Sequence, residues 1–194
     1  MARPNTETIH KHDLIHYFHE NNIKSIINLQ EPGEHANCGN ALTSSGFSYD
    51  PTLFMENNVY FYNFQWKDYS IVTDEVLLDM VKVMTFALTE GKVAVHCHAG
   101  LGRTGVLIAS YLVFTYRCKP QDAIKFVRLK RPNSIQTRGQ IMSVFQFSQY
   151  IIPFFVIYQH IIPKQIGFTL AQILHKQRSL LHGYELRHLK YIPK

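Results

Sequence analysis

The stretch KVAVHCHAGLGRTGVLIASYLVF, Lys92 to Phe114, constrains the fold of this chain more than any other. KVAVH reads as a short strand that ends at Cys97. VLIASYLVF, Val106 to Phe114, is apolar on every side, which marks a buried helix rather than a surface one. Only a glycine-rich turn containing Gly100, Gly102 and Gly105 separates the two. A buried strand running directly into a buried helix requires neighbouring strands on either side and further helices over the sheet.

The flanking sequence supplies both. SIINLQ (Ser25 to Gln30) and VYFYNF (Val59 to Phe64) read as short strands, joined by a polar loop from Glu31 to Asn58 that is too long for a turn. From Thr73 the residues Leu77, Met80, Val81, Met84 and Leu88 recur at helical spacing, and Gly91 stops the helix. Pro120 opens another helix that must end at the KRP of Lys130 to Pro132. Strands alternating with helices predict an α/β fold with a central, mostly parallel sheet flanked by helices.

One segment competes with this reading. Val144 to Pro163 holds twenty residues without Asp, Glu, Lys or Arg, the length of a membrane span. Gln146, Ser148, Gln149, Gln159, His160 and two prolines oppose it, because lipid offers such groups no partners. The expectation is instead a core helix ending before Pro153, then an apolar connector. TLAQILHKQRSLLHG follows as a basic amphipathic helix, with Thr169 as N-cap, Gln172 completing a capping box and Gly183 as the stop. The expected organisation is a catalytic domain over residues 1–152 and a connector with helical tail over 153–194.

Composition excludes several classes. With 194 residues, 46% hydrophobic and 18% charged, the chain is an ordinary globular protein and not a disordered or disulfide-stapled one. Cys38, Cys97 and Cys118 have no paired spacing, and the polar start MARPNTETIHKHD is no signal peptide; both predict reduced thiols in the cytoplasm. The net charge of +6 favours anionic partners. The basic residues are spread along the chain, so nucleic acid is not indicated. No pattern fixes an oligomeric state.

The chemistry lies in HCHAGLGRTG. His96, Cys97 and His98 are zinc-ligand types, but adjacent residues leaving a strand point to opposite sides and do not close on one ion. A nucleotide-binding loop fails too, since Cys97 stands where its first glycine belongs and Arg103 replaces its lysine. An anion cradle fits. The glycines let successive N–H groups converge on one oxyanion, the helix N-terminus adds favourable potential, and Arg103 offers a two-pronged grip for phosphate oxygens. A cysteine in that field is held as a nucleophilic thiolate.

The same residues fit H-C-x-x-G-x-x-R-[ST], and over about Ile23 to Tyr150 the chain resembles the cysteine-dependent protein tyrosine and dual-specificity phosphatases. FQWKDYSIVTD and RPNSIQTRGQ are similar to the matching segments of the cell-cycle phosphatases that favour phosphoserine-proline. The resemblance implies a dual-specificity-phosphatase-like sheet lacking its first strand, which in such relatives precedes MARP. It implies a hydrolase acting on phosphorylated proteins, without metal or cofactor, through a phosphocysteine, and points to a link with cilia.

It also implies roles. Cys97 is the nucleophile and Arg103 the phosphate grip, while Ala99, Gly100, Leu101 and Gly102 complete the loop around the substrate. Thr104 donates its hydroxyl to the sulfur, His98 shapes the mouth, and His96 orients the loop through backbone hydrogen bonds. The general acid is Asp68 of WKD, where tyrosine phosphatases commonly have W-P-D, with Lys67 in place of the proline. Asp74 is its rival, although an acidic residue early in a helix is stabilising without any catalytic role. Gln140 positions the attacking water, against the plainer reading of an exposed helix residue. Cys38 is offered as a disulfide partner for Cys97, against a small apolar side chain. Two rivals stand beside the protein phosphatase. A phosphoinositide phosphatase would place lysines inside the loop, where this chain has His98 and Leu101. A non-catalytic scaffold would lose the cysteine, the arginine or the acid.

Overall fold

The computed structural model describes residues 1–154. The chain divides into two compact units, Met1–Ser148 and Gln149–Lys194. The expected tail helix from Thr169 to Gly183 lies outside the described residues, as does most of the apolar connector.

Three strands form one fully parallel sheet in the order β2-β1-β3: β1 is Ile23–Asn28, β2 Tyr60–Asn63 and β3 Lys92–His96. Side chains alternate between faces, and the register aligns Ile26 with Phe61 and Ala94, and Ile27 with Tyr62 and Val95. Ile26, Phe61 and Ala94 join an apolar cluster with Ile9, Phe18, Tyr49 and Phe54. These come from helices α1 (Thr6–Lys11), α2 (Leu14–Glu20) and α3 (Thr52–Glu56) and the loop before α3. The opposite face is covered by α4 (Asp74–Glu90), which packs on β1 and β3 and against α5 (Gly102–Tyr116). Helices therefore lie on both faces, as the alternation of elements required.

Local chemistry sets the boundaries. Thr73 caps α4, accepting from the Val76 N–H, and Gly91 ends it. Pro120 occupies the first turn of α6 (Pro120–Lys130). Helix α7 (Arg138–Tyr150) ends before Pro153, and Ile152–Phe154 forms a 3₁₀ turn. Among the described residues no helix is long and apolar enough to cross a membrane.

Two expectations need correction. Leu29 and Gln30 do not belong to β1, because the Leu29 carbonyl turns away to accept from Arg103 at 3.2 Å. The stretch from Glu31 to Asn58 is not a plain loop either. It contains α3, opened by the Asp50 side chain accepting from the Thr52 N–H at 2.9 Å, and it buries Phe47, Tyr49 and Phe54. Its polar residues hid those aromatics from a periodicity reading.

Candidate active site

Because all three strands are parallel, their carboxyl ends lie along one edge of the sheet, where open α/β folds bind ligands. Each strand contributes there. The chain leaving β3 supplies Cys97 and the turn into α5, the chain leaving β1 supplies Leu29 and Glu34, and the chain leaving β2 supplies Trp66 and Asp68. Arg103 is where they meet.

The turn from Cys97 to Gly105 is shaped by its carbonyls. The Cys97 carbonyl faces His96 Nδ1 at 3.2 Å, that of His98 accepts from the Arg3 N–H at 2.9 Å, and that of Leu101 accepts from the Gly105 and Ile135 N–H groups, both at 3.2 Å. Arg131 holds two more, the Gly100 carbonyl through Nε at 2.6 Å and the Ala99 carbonyl through Nη2 at 3.2 Å. With the carbonyls engaged by the surrounding protein, the N–H side of the loop is left for an anion. Gly100 sits at φ +69°, and a Cβ there would collide with the Met1 carbonyl, so only glycine fits.

Cys97 is buried, and its neighbour His96 is fully enclosed. Burial lowers the affinity of His96 for a proton, pushing its pKa to about 4, so the ring is neutral. Its Nδ1–H then donates to the Cys97 carbonyl, and Nε2 accepts from the Tyr49 hydroxyl at 2.6 Å. His96 thus orients the loop through the backbone, and Tyr49, which burial pushes well above the usual tyrosine range, fixes the tautomer.

Arg103 is 1% exposed. Glu34 grips it bidentately, Oε1 on Nη2 at 2.6 Å and Oε2 on Nη1 at 2.7 Å, while Nη1 also donates to the Leu29 and Trp66 carbonyls at 3.2 and 2.6 Å. Burial alone would weaken the charge on Arg103, but Glu34, with Cys97 and Asp68, raises its pKa above the ordinary arginine value. Burial likewise works against ionising Glu34, yet the bonds from Arg103, Gln30 and Glu31 hold its carboxyl below the usual range. Arg103 Nε is buried without a partner.

Asp68 stands beside this pair, Oδ1 at 3.1 Å from Arg103 Nη2 and Oδ2 at 2.9 Å from His35 Nε2. Burial pushes its carboxyl up, but the His35 bond, the Arg103 charge and the Tyr69 N–H outweigh it and leave the pKa lowered. Asp74 lies in the first turn of α4, with its pKa raised by burial and by Glu75. His98 stacks on His35 with ring centroids 4.0 Å apart, and its pKa is lowered by burial and by the His35 and Arg3 charges.

Glu34, His35 and Asp68 offer metal-ligand atoms within 4.8 Å of one another, but the Arg103 nitrogens already contact both carboxylates. A guanidinium takes the cation's place there.

The remaining expected site residues fall out differently. Gln140 is not an exposed helix residue. It is 3% exposed, accepts from the Gln136 N–H at 2.8 Å, and sets its amide nitrogen 2.6 Å from where a Gly102 Cβ would lie. The Thr104 hydroxyl is buried without a hydrogen-bond partner, so the expected bond to the Cys97 sulfur is not formed in this structure. Cys38 and Cys97 are both free thiols, and Cys38 is exposed rather than packed as a small apolar side chain. Sequence reading missed Glu34, His35, Tyr49 and Arg131, none of which carries a local signal.

A parallel α/β sheet with a cysteine–arginine anion loop at its carboxyl edge defines the class. The family model "dual specificity phosphatase, catalytic domain" matches residues 9–150, and the chain belongs to that family. Among named relatives, it is 62% identical over its whole length to protein tyrosine phosphatase domain-containing protein 1 of Bos taurus, covering 24% of that protein. The Danio rerio protein of the same name is 58% identical, again over the whole chain and 27% of the relative. The chain thus spans about a quarter of the length of those relatives. Dual specificity protein phosphatase CDC14A of Mus musculus is 34% identical across 61% of this chain and 17% of its own. The fold is shared with the active form of Tk-PTP, at a TM-score of 0.62 and 20% identity over 76% of this chain and 88% of that one. It is also shared with PTPMT1 in complex with PI(5)P, at a TM-score of 0.56 and 20% identity over 77% and 88%.

Proposed function

We propose that this chain hydrolyses phosphomonoesters on tyrosine, serine or threonine side chains of proteins through a phosphocysteine at Cys97. The observation that carries the reading is Arg103. Its terminal nitrogens are locked by Glu34 and two carbonyls, while its buried Nε–H has no partner and remains to bind a phosphate oxygen beside the Cys97 loop. Fixed donors aimed at an anion stabilise the charge that develops on the transferred phosphoryl group.

In the first step the Cys97 thiolate attacks phosphorus. The S–P bond forms, the ester P–O bond breaks, and the departing oxygen takes its proton from Asp68. Phosphate binding supports that role, because a dianion on Arg103 competes with the charge that now holds Asp68 ionised. In the second step Asp68 receives the proton of the attacking water as the S–P bond breaks, releasing inorganic phosphate and the thiolate. Gln140, whose amide lies against Gly102, is the residue proposed to position that water.

The test is leaving-group dependence. Asp68→Asn is expected to cost on the order of 10²–10⁴-fold in kcat/KM on phosphotyrosine or phosphoserine peptides, but little in kcat/KM on p-nitrophenyl phosphate, whose phenolate leaves unprotonated; kcat falls on both, because hydrolysis of the phosphocysteine is shared. Asp74→Asn is expected to behave like the parent chain. The same pattern in Asp74→Asn and not in Asp68→Asn would overturn the assignment. Turnover of phosphoinositide vesicles in preference to all phosphopeptides would overturn the protein-substrate reading.

A further inference from the structure

We propose that His35, on the loop after β1, is a positioning residue that aims the Asp68 carboxyl. The proposal rests on the reading of Asp68 as the general acid.

The two oxygens of Asp68 have different partners. Oδ1 accepts from the Tyr69 N–H at 3.0 Å and lies 3.1 Å from Arg103, whereas Oδ2 is bonded to His35 Nε2 at 2.9 Å. Only Oδ1 is therefore turned toward the phosphate-binding arginine. With Oδ2 pinned by His35, the carboxyl keeps Oδ1 on the phosphate side when substrate reaches Arg103.

His35 is itself held. Its ring lies against that of His98 at an interplanar angle of 15°, so a residue of the catalytic loop buttresses its face. Its Nδ1 faces the Cys38 sulfur at 3.7 Å, and a thiol donating there leaves the hydrogen on Nε2, the tautomer that donates to Asp68. The other charged groups around the ring are Glu34, with Oε1 3.5 Å from Nε2, and Arg3, whose Nη2 donates to the His35 carbonyl at 3.4 Å. The His35 side chain is 24% exposed, so the loop after β1 reaches the acid from the solvent side.

The contact predicts an effect that a purely structural role would not give. The His35 bond is one of the contacts that hold the Asp68 carboxyl below its usual range. Without it Asp68 retains its proton to higher pH but is no longer aimed. The basic limb of the pH–rate profile should then move to higher pH while kcat/KM falls.

The experiment measures kcat and KM for His35→Ala and His35→Gln, each alone and combined with Asp68→Asn, on a phosphotyrosine peptide and on p-nitrophenyl phosphate. His35→Ala is expected to lower kcat/KM on the peptide about tenfold, a part of what a general acid supplies, with kcat/KM on p-nitrophenyl phosphate little changed. His35→Gln, whose amide reaches Oδ2, should recover most of the loss. In the Asp68→Asn background His35→Ala should add nothing. A loss of kcat/KM of equal size on both substrates, an additive loss in that background, or an unmoved basic limb would overturn the proposal. Failure of the acid assignment reads differently, because Asp68→Asn itself would then show no leaving-group dependence. Should His35→Ala not fold, His35→Leu, which fills the place of the ring without a hydrogen-bond donor, is read against the same outcomes.

Discussion

Two loops meet at one guanidinium and are built on opposite terms. The loop after β3, Cys97 to Gly105, is short and largely buried, and backbone geometry defines it: one positive-φ glycine and five carbonyls turned to protein partners. The loop after β1 is longer, exposed without interruption from Ala36 to Ala41, and contributes side chains, the Glu34 carboxylate and the His35 ring. On the proposed reading, the first makes a place for phosphate and the second controls the groups that act on it. A shape made by backbone must be contiguous in sequence, whereas charge can be delivered from any loop that reaches the site.

The sharpest break in that comparison is to remove the shared residue. Arg103→Ala is expected to lower kcat/KM by about 10³–10⁵-fold, the range of an arginine on a transferring phosphoryl group. Steady-state kinetics on a phosphopeptide check it. A loss below tenfold would mean that the backbone loop suffices alone.

Glu34→Gln attacks the second loop only. It keeps the shape but removes the charge that locks Arg103, and the misplaced guanidinium should cost about 10–100-fold in kcat/KM. It also carries a pH signature. Glu34 has a lowered pKa in the folded chain, so it contributes stability above its ordinary value of 4.5 that is lost as pH falls through the native value. Thermal unfolding between neutral and acid pH should show a shallower loss in Glu34→Gln than in the parent.

Glycine substitutions compare the loops as backbones. Gly100→Ala meets both strain at φ +69° and the Met1 carbonyl, and should cost about 1–3 kcal/mol, read as a fall of several degrees in Tm together with lost activity. Gly39→Ala, at φ +91° with nothing within 4 Å, should cost only about 1 kcal/mol and leave kcat/KM within about twofold. Equal effects at both positions would erase the distinction.

A pH dependence distinguishes the loop through His96. Its native pKa is about 4 against an ordinary 6.5, so between those values the unfolded chain binds the extra proton and stability rises with pH. His96→Asn should flatten that rise in thermal unfolding measured across the window.

How far the sequence could be read follows from the same contrast. Strand β3, the loop and α5 were legible because an apolar run, spaced glycines and a second apolar run lie end to end. Asp68 was legible through the resemblance of WKD, and the structure brings it within 3.1 Å of Arg103. Helices α1 and α2 escaped because each buries little beyond Ile9 or Phe18 and offers no apolar stripe. Glu34, His35 and Arg131 escaped for another reason. Arg131 lies 31 residues from Gly100 and Glu34 lies 69 from Arg103, and a contact across such a distance leaves no local pattern.

The central claim is that phosphate passes through the Cys97 sulfur, and direct detection of that bond tests it. Asp68→Asn chain mixed with p-nitrophenyl phosphate, acid-quenched within the first turnovers and mapped by mass spectrometry, should carry one phosphate on the peptide containing Cys97. Cys97→Ser should carry none there and should not turn over. Undiminished hydrolysis by Cys97→Ser, or phosphate trapped on another residue, would contradict the account.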